Sequence, residues 1–215
     1  ITIAPKDGTA ACDVVGYMPG EKAAILTSDM NGGIAQLFVR DLATGALTQP
    51  LSDLSRYELD GAGLNAEGNL LVASVNEDGY GVPHVYSLPD FAPLPMPEME
   101  KGVVAAGSFR GRTLVWSNSN ARVPGVSFLT TWPAGNAKPA TKQVTFADTQ
   151  GLDLSGFPLP ELVKYKAADG LEIPAFIFMP PGAKAGQPIP FIVNYHGGPE
   201  GQSRPNFSAA VQYLL

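Results

Sequence analysis

The residues best suited to chemistry are His196, Gly197 and Gly198, in the string Tyr195-His196-Gly197-Gly198-Pro199. A continuous apolar run, Pro190-Phe191-Ile192-Val193-Asn194-Tyr195, precedes them, and a helical spacing follows. A glycine pair between a buried strand and a helix can hold backbone N–H groups at fixed positions. Such donors stabilise the oxyanion that develops when a nucleophile adds to a carbonyl. Glycine lets the backbone come close and adopts the unusual angles that the turn needs. A plain turn also uses paired glycines, so the position of the string carries more weight than its letters.

An oxyanion loop needs a nucleophile, a base and an orienting acid. A Gly-x-Ser-x-Gly elbow is absent from the 215 residues, and the only histidines are His84 and His196. Cys12 is the sole cysteine, which excludes an internal disulfide and a cysteine-based metal site. No metal and no cofactor is expected. The net charge of −6 argues against nucleic acid and against an anionic membrane surface as partners. No apolar run reaches the roughly 18 residues of a membrane span. The start, Ile1-Thr2-Ile3-Ala4-Pro5, has neither the basic region nor the apolar core of a signal peptide. The compartment is unknown from sequence.

The elements that must position this loop are mostly strands. The chain holds 24 glycines and 20 prolines, set between short apolar runs, the pattern of many strands joined by turns. Residues 22–28, 69–74 and 113–117 each read as a strand after a polar turn, and Leu26, Leu71 and Val115 recur at steps of 45 and 44 residues. A second strand follows in each unit, at 36–40, 83–87 and 126–130, and a last edge strand closes it, as at 46–49. Four strands in about 45 residues make a propeller blade. Three blades are expected, at 10–55, 56–97 and 102–146. A closed propeller typically needs at least about four, so further blades are expected before Ile1.

Residues 147–162 read as a linker punctuated by Gly and Pro. A hairpin follows, Val163–Lys166 against Ile173–Met179, turning at Asp169-Gly170. The run at 190–195 is expected to be a strand buried on both faces and the next strand of the hairpin's sheet. Phe207, Val211, Leu214 and Leu215 share a helical face. No stop signal follows Leu215, and the expectation is a chain truncated inside a running helix.

The string Pro160-Glu161-Leu162-Val163-Lys164-Tyr165, then Asp169-Gly170-Leu171-Glu172-Ile173-Pro174, Pro180, Pro190-Phe191-Ile192-Val193, His196-Gly197-Gly198-Pro199 and Gln202 resembles the opening of the catalytic domain of prolyl oligopeptidase-family serine peptidases. It is most similar to their acylaminoacyl-peptidase and bacterial dipeptidyl-peptidase-like branches. The strong likeness covers about 55 residues. The resemblance implies a mainly β fold: the C-terminal blades of a β-propeller at 1–155, then the first strands of a truncated α/β-hydrolase domain at 156–215. It implies acyl-enzyme cleavage of amino-terminal dipeptides, acylated residues or oligopeptides by the full-length parent. Gly198 would give the backbone oxyanion donor, and His196 and Gly197 would shape the loop. Other branches carry Tyr at the position of His196. The triad falls outside these residues, so the chain alone is expected to be inactive. The partners implied are a peptide substrate and the remainder of the parent polypeptide, with self-association left open. The alternatives are a non-catalytic propeller that binds a protein or ligand, and an esterase-type hydrolase.

Other residues weigh less. His84 sits in a strand of the second blade. Glu98 and Glu100 flank Met99, and in dipeptidyl-peptidase relatives paired glutamates hold a free amino terminus, but the contexts differ and a solvated inter-blade loop is expected. Trp116 and Trp132 are expected to pack between blades, and Arg110 and Arg112 to lie in a solvated turn.

Overall fold

The computed structural model describes residues 8–135, 137–184, 186–198 and 201–215. Pro199, the last residue of the glycine string, lies outside the described residues, as do Ile1–Pro5. The fold is mainly β. The first sheet orders β1 (Cys12–Tyr17), β2 (Ala23–Ser28), β3 (Gln36–Asp41) and β4 (Leu47–Thr48), all antiparallel. The second repeats this with β5 (Glu58–Leu64), β6 (Leu70–Glu77), β7 (Tyr80–Ser87) and β8 (Ala92–Pro93). The third uses β9 (Val103–Arg110), β10 (Thr113–Asn120), β11 (Val123–Thr131) and β12 (Ala140–Gln143). These are the three expected blades. A single parallel bridge, Gly81 to Val103, joins the second to the third.

The order within each blade explains why they stack. β6 buries nearly every residue, and alternate side chains point to opposite faces. Leu70 and Val72 join Val85, Leu114, Trp116 and Trp132 in the core between blades two and three. Leu71 and Ala73 join Ile25, Leu37, Leu51 and Tyr86 in the core between blades one and two. Each fully buried Leu contributes about 1.5–3 kcal/mol, so the middle blade draws its stability from both neighbours. Both tryptophans serve this packing, as expected. Trp116 stacks on Phe128 at 4.3 Å and donates to the Thr130 hydroxyl at 2.8 Å, and Trp132 donates to the Pro95 carbonyl at 2.8 Å.

The first strands of the blades lie side by side, β1 against β5 and β5 against β9. They form the innermost layer, and each carries one register shift: at Val14/Gly16, at Leu59/Gly61, and in β9 opposite Leu114/Trp116. A bulge bends a strand and re-aims the extra side chain. In β5 that extra residue is Asp60.

A linker then leads to a separate two-stranded sheet, β13 (Glu161–Lys166) against β14 (Glu172–Ile177). Its turn is the expected Asp169-Gly170, with Gly170 at φ +87° and the Leu171 N–H donating to the Asp169 carboxylate at 3.0 Å. A short helix, α1 (Ala209–Leu214), ends the chain. Ser208 caps it by accepting from the Val211 N–H at 3.3 Å.

One expectation fails. Residues 190–195 form no strand. Phe191, Ile192, Val193 and Tyr195 are 73, 67, 56 and 80% exposed. A strand buried on both faces needs hydrogen-bonding neighbours and a layer on each side. The β13–β14 sheet offers neither to this segment, so its apolar side chains stay uncovered.

Gly81 tests the stacking. A Cβ there would run into the backbone of Val104, whose amide nitrogen lies 3.0 Å from it. Gly81→Ala is expected to lower stability by roughly 1–3 kcal/mol and Leu71→Ala by roughly 2–5 kcal/mol, read from urea denaturation midpoints. A neutral Gly81→Ala would show that blades two and three are not locked at that bridge.

Candidate functional site

The segment around the glycine string meets the propeller at one rim. The β6–β7 turn runs Glu77-Asp78-Gly79-Tyr80, with Asp78 at φ +53° and Gly79 at φ +90°. Two positive φ angles make the tight hairpin turn that Asp-Gly favours. The Asn76 side chain braces it by accepting from the Gly79 N–H at 2.8 Å. Gly79 also leaves room for β14: the Phe176 ring lies 2.9 Å from where a Gly79 Cβ would stand. Phe176 meets the Tyr80 ring edge-on at 5.6 Å. Burial pushes the Tyr80 phenol pKa up, so the ring is neutral, and the Lys101 ammonium sits 4.0 Å above it. On blade three, Arg122 donates to the Phe157 carbonyl at 2.8 Å and ties down the linker.

The stretch after the glycines makes a second set of contacts. Asn76 donates to the Gln202 side-chain oxygen at 2.6 Å. Arg204 clasps both carboxylate oxygens of Asp60 at 2.7 and 2.8 Å. The Phe207 N–H donates to the Ser119 hydroxyl at 3.1 Å, and Pro205 is fully buried. Asn76 and Ser119 are the next-to-last residues of β6 and β10, and Asp60 is the bulge of β5. The segment therefore straddles blades two and three, reaching the innermost strand.

His196, Gly197 and Gly198 are exposed. The His196 ring Nδ1 is 3.4 Å from the Gly197 carbonyl oxygen. Gly198 has φ +74°, a left-handed angle that favours glycine, yet nothing lies within 4 Å of a Cβ at Gly197 or Gly198. Backbone angle, not crowding by this chain, is thus what requires glycine at 198. Crowding acts instead at Gly201, where a Cβ would stand 2.6 Å from the Gly197 carbonyl oxygen and 2.8 Å from His196 Nδ1. The loop folds back on itself there, and sequence reasoning did not single out Gly201, Asp60, Asn76 or Arg204.

The remaining candidates fall elsewhere. His84 lies in β7 with Nε2 3.8 Å from a Glu77 carboxylate oxygen, stacked on Tyr86. Burial, then the nearby Asp53 charge, pushes the Tyr86 phenol up to about 12. Glu98 and Glu100 are exposed on the connector between blades two and three, as expected. They border an open cleft of about 480 Å³ with Trp116, Phe128 and Phe146. Arg110 is exposed, while Arg112 braces its turn by donating to the Trp132 and Pro133 carbonyls. Among the described residues no group of three His, Cys, Asp or Glu could hold a metal ion.

At the level of sequence, no family profile and no curated protein matches the chain. Solved structures do match in fold. A puromycin-hydrolyzing peptidase of Mycobacterium tuberculosis superposes with a TM-score of 0.77 at 16% identity, over 96% of this chain and 32% of its own. Oligopeptidase B from Trypanosoma brucei, in its closed form with covalently bound antipain, gives 0.69 at 15% identity, over 97% and 30%. Prolyl oligopeptidase B from Galerina marginata, bound to a 25mer macrocyclization substrate, gives 0.62 at 16% identity, over 80% and 23%. The fold is therefore that of a section of the prolyl oligopeptidase structures. The chain spans a quarter to a third of the length of these structures.

The docking of β14 on blade two makes a prediction. Phe176→Ala removes an edge-on aromatic pair, worth roughly 0.5–1.5 kcal/mol beyond its buried area. Amide hydrogen exchange across β13 and β14 is expected to rise about tenfold or more, each tenfold step being about 1.4 kcal/mol, while β2 and β3 stay unchanged. Equal exchange in wild type and variant would mean that the hairpin is held by something else.

Proposed function

We propose that the chain is part of a serine peptidase of the prolyl oligopeptidase type. Residues 1–155 are its last propeller blades and 156–215 the opening of its α/β-hydrolase domain. The full-length polypeptide cleaves short peptides, from amino-terminal dipeptides and acylated residues to oligopeptides, through an acyl-enzyme. The observation that carries this is a His-Gly-Gly loop, with Gly198 at φ +74°, followed by a segment docked on stacked blades in a fold shared with structures of known peptidases.

The chemistry follows from the residues present and those the reaction requires. A serine, activated by a histidine base and oriented by an acid, attacks the scissile carbonyl. The Gly198 N–H donates to the oxygen as negative charge gathers on it, and His196 and Gly197 hold the turn. Because a backbone donor does not reorganise as charge develops, it favours the transition state over bound substrate. The exposed apolar run at 190–195 supports the same reading. It has the composition of a central strand and, in this proposal, pairs with strands supplied by the rest of the polypeptide. The propeller beneath the loop restricts access to peptides small or flexible enough to reach it.

Full-length protein is expected to react with a fluorophosphonate probe and to hydrolyse chromogenic peptide or acyl-amino-acid substrates, and the 215-residue chain alone to do neither. In the full-length protein Gly198→Val is expected to lower kcat by about 10²–10³, the loss typical of an oxyanion donor, with a smaller change in KM. Probe labelling of the isolated chain, or full kcat in Gly198→Val, would overturn this assignment of the loop.

A further inference from the structure

We infer that Asp60 and Arg204 are a positioning pair for the oxyanion loop, fixing Gly198 relative to the innermost layer of the propeller. The inference rests on the peptidase reading above and deepens it. Its basis is the contact itself. One Arg204 nitrogen, Nη2, donates to both oxygens of the Asp60 carboxylate, at 2.7 and 2.8 Å. The Nε of the same planar guanidinium donates to Gln202 at 3.3 Å, so donors at two separate points fix its orientation as well as its distance. The two side chains are 22 and 28% exposed, so water and salt screen the pair only in part.

Both partners are placed for the task. Asp60 is the bulged residue of β5, unpaired in the ladder between Leu59–Val75 and Gly61–Ser74. An unbulged strand would carry the next side chains on the opposite faces. Arg204 lies six positions after Gly198, and the fold-back at Gly201 brings that loop close on itself. Gln202 ties in from both sides, accepting from Asn76 at 2.6 Å and from the Arg204 Nε at 3.3 Å. With Pro205 buried next to it, Arg204 is the charged anchor of the segment leading out of the loop. The pair contributes little to folding as a partly exposed ion pair. Its effect is on geometry, where a misplacement of about 1 Å can cost about 10²-fold in rate.

The test uses the full-length polypeptide and two readouts, steady-state kinetics on a small chromogenic substrate and hydrogen exchange over residues 201–207. Asp60→Asn and Arg204→Gln are each expected to lower kcat about tenfold, inside that limit, with KM changed less than about threefold. Exchange over 201–207 should rise in both. The double variant should lose no more than either single one, because the two act as a unit, and the swap Asp60→Arg with Arg204→Asp should regain part of the lost kcat. Should Asp60→Asn not fold, Arg204→Lys keeps the charge but loses the planar group that spans Asp60 and Gln202, and it is expected to lower kcat in the same direction. A merely structural pair would lower the unfolding midpoint while leaving kcat intact at temperatures well below it. Unchanged kcat and exchange in Asp60→Asn, with wild type still labelled by fluorophosphonate, overturns the pair alone. Failure of wild type to label overturns the peptidase reading and the positioning role with it.

Discussion

A strand whose consecutive residues are all buried must have a layer on each side, and β6 is such a strand. Leu70 and Val72 point one way, Leu71 and Ala73 the other, and all four are almost fully removed from water. No single sheet can satisfy that pattern, because alternate side chains of a strand face opposite directions. Blade two is therefore stable only between blades one and three. Its position fixes theirs, and with them the line of innermost strands β1, β5 and β9. Gly81 shows how tight the fit is, since the backbone of Val104 occupies the space a side chain would need.

The rim follows from this stacking. Because the blades are locked, the ends of β6 and β10 and the bulge of β5 hold fixed positions, and Asn76, Ser119 and Asp60 face the segment that follows the glycines. The hairpin β13–β14 docks beside them through Phe176 on the Asp78-Gly79 turn. The segment that follows the glycines thus rests on a base that the stacking of the blades holds in place. Residues 202, 204 and 207 meet the blades through polar contacts, and the hairpin meets them through Phe176.

Much of this was legible in the sequence. The repeat of Leu26, Leu71 and Val115 fell on β2, β6 and β10, and the Asp169-Gly170 turn fell between β13 and β14. The innermost strands were harder to read. β1, β5 and β9 carry Gly16, Gly61, Gly63 and Gly107, which weaken any strand pattern, and a bulge in each breaks the alternation. Residues 190–195 misled in the other direction. Their composition suits a central strand, but composition supplies no partner, and among the described residues no strand pairs with them. The contact of Asp60 with Arg204 spans 144 positions, and its register depends on the bulge, so no local pattern could reveal it. At the glycine string the sequence pointed to close approach and to unusual backbone angles; Gly198 has such an angle, φ +74°, and the crowded Cβ position within the chain is at Gly201.

The central claim is that the Gly198 N–H faces the oxygen of a reacting acyl group. It is tested most directly by the structure of the full-length protein inactivated with a peptidyl phosphonate, whose P–O oxygen stands in for the oxyanion. The account predicts that this oxygen accepts from the Gly198 N–H at about 2.7–3.1 Å. A phosphonate oxygen bound elsewhere, with the Gly198 N–H turned away from it, would contradict the account.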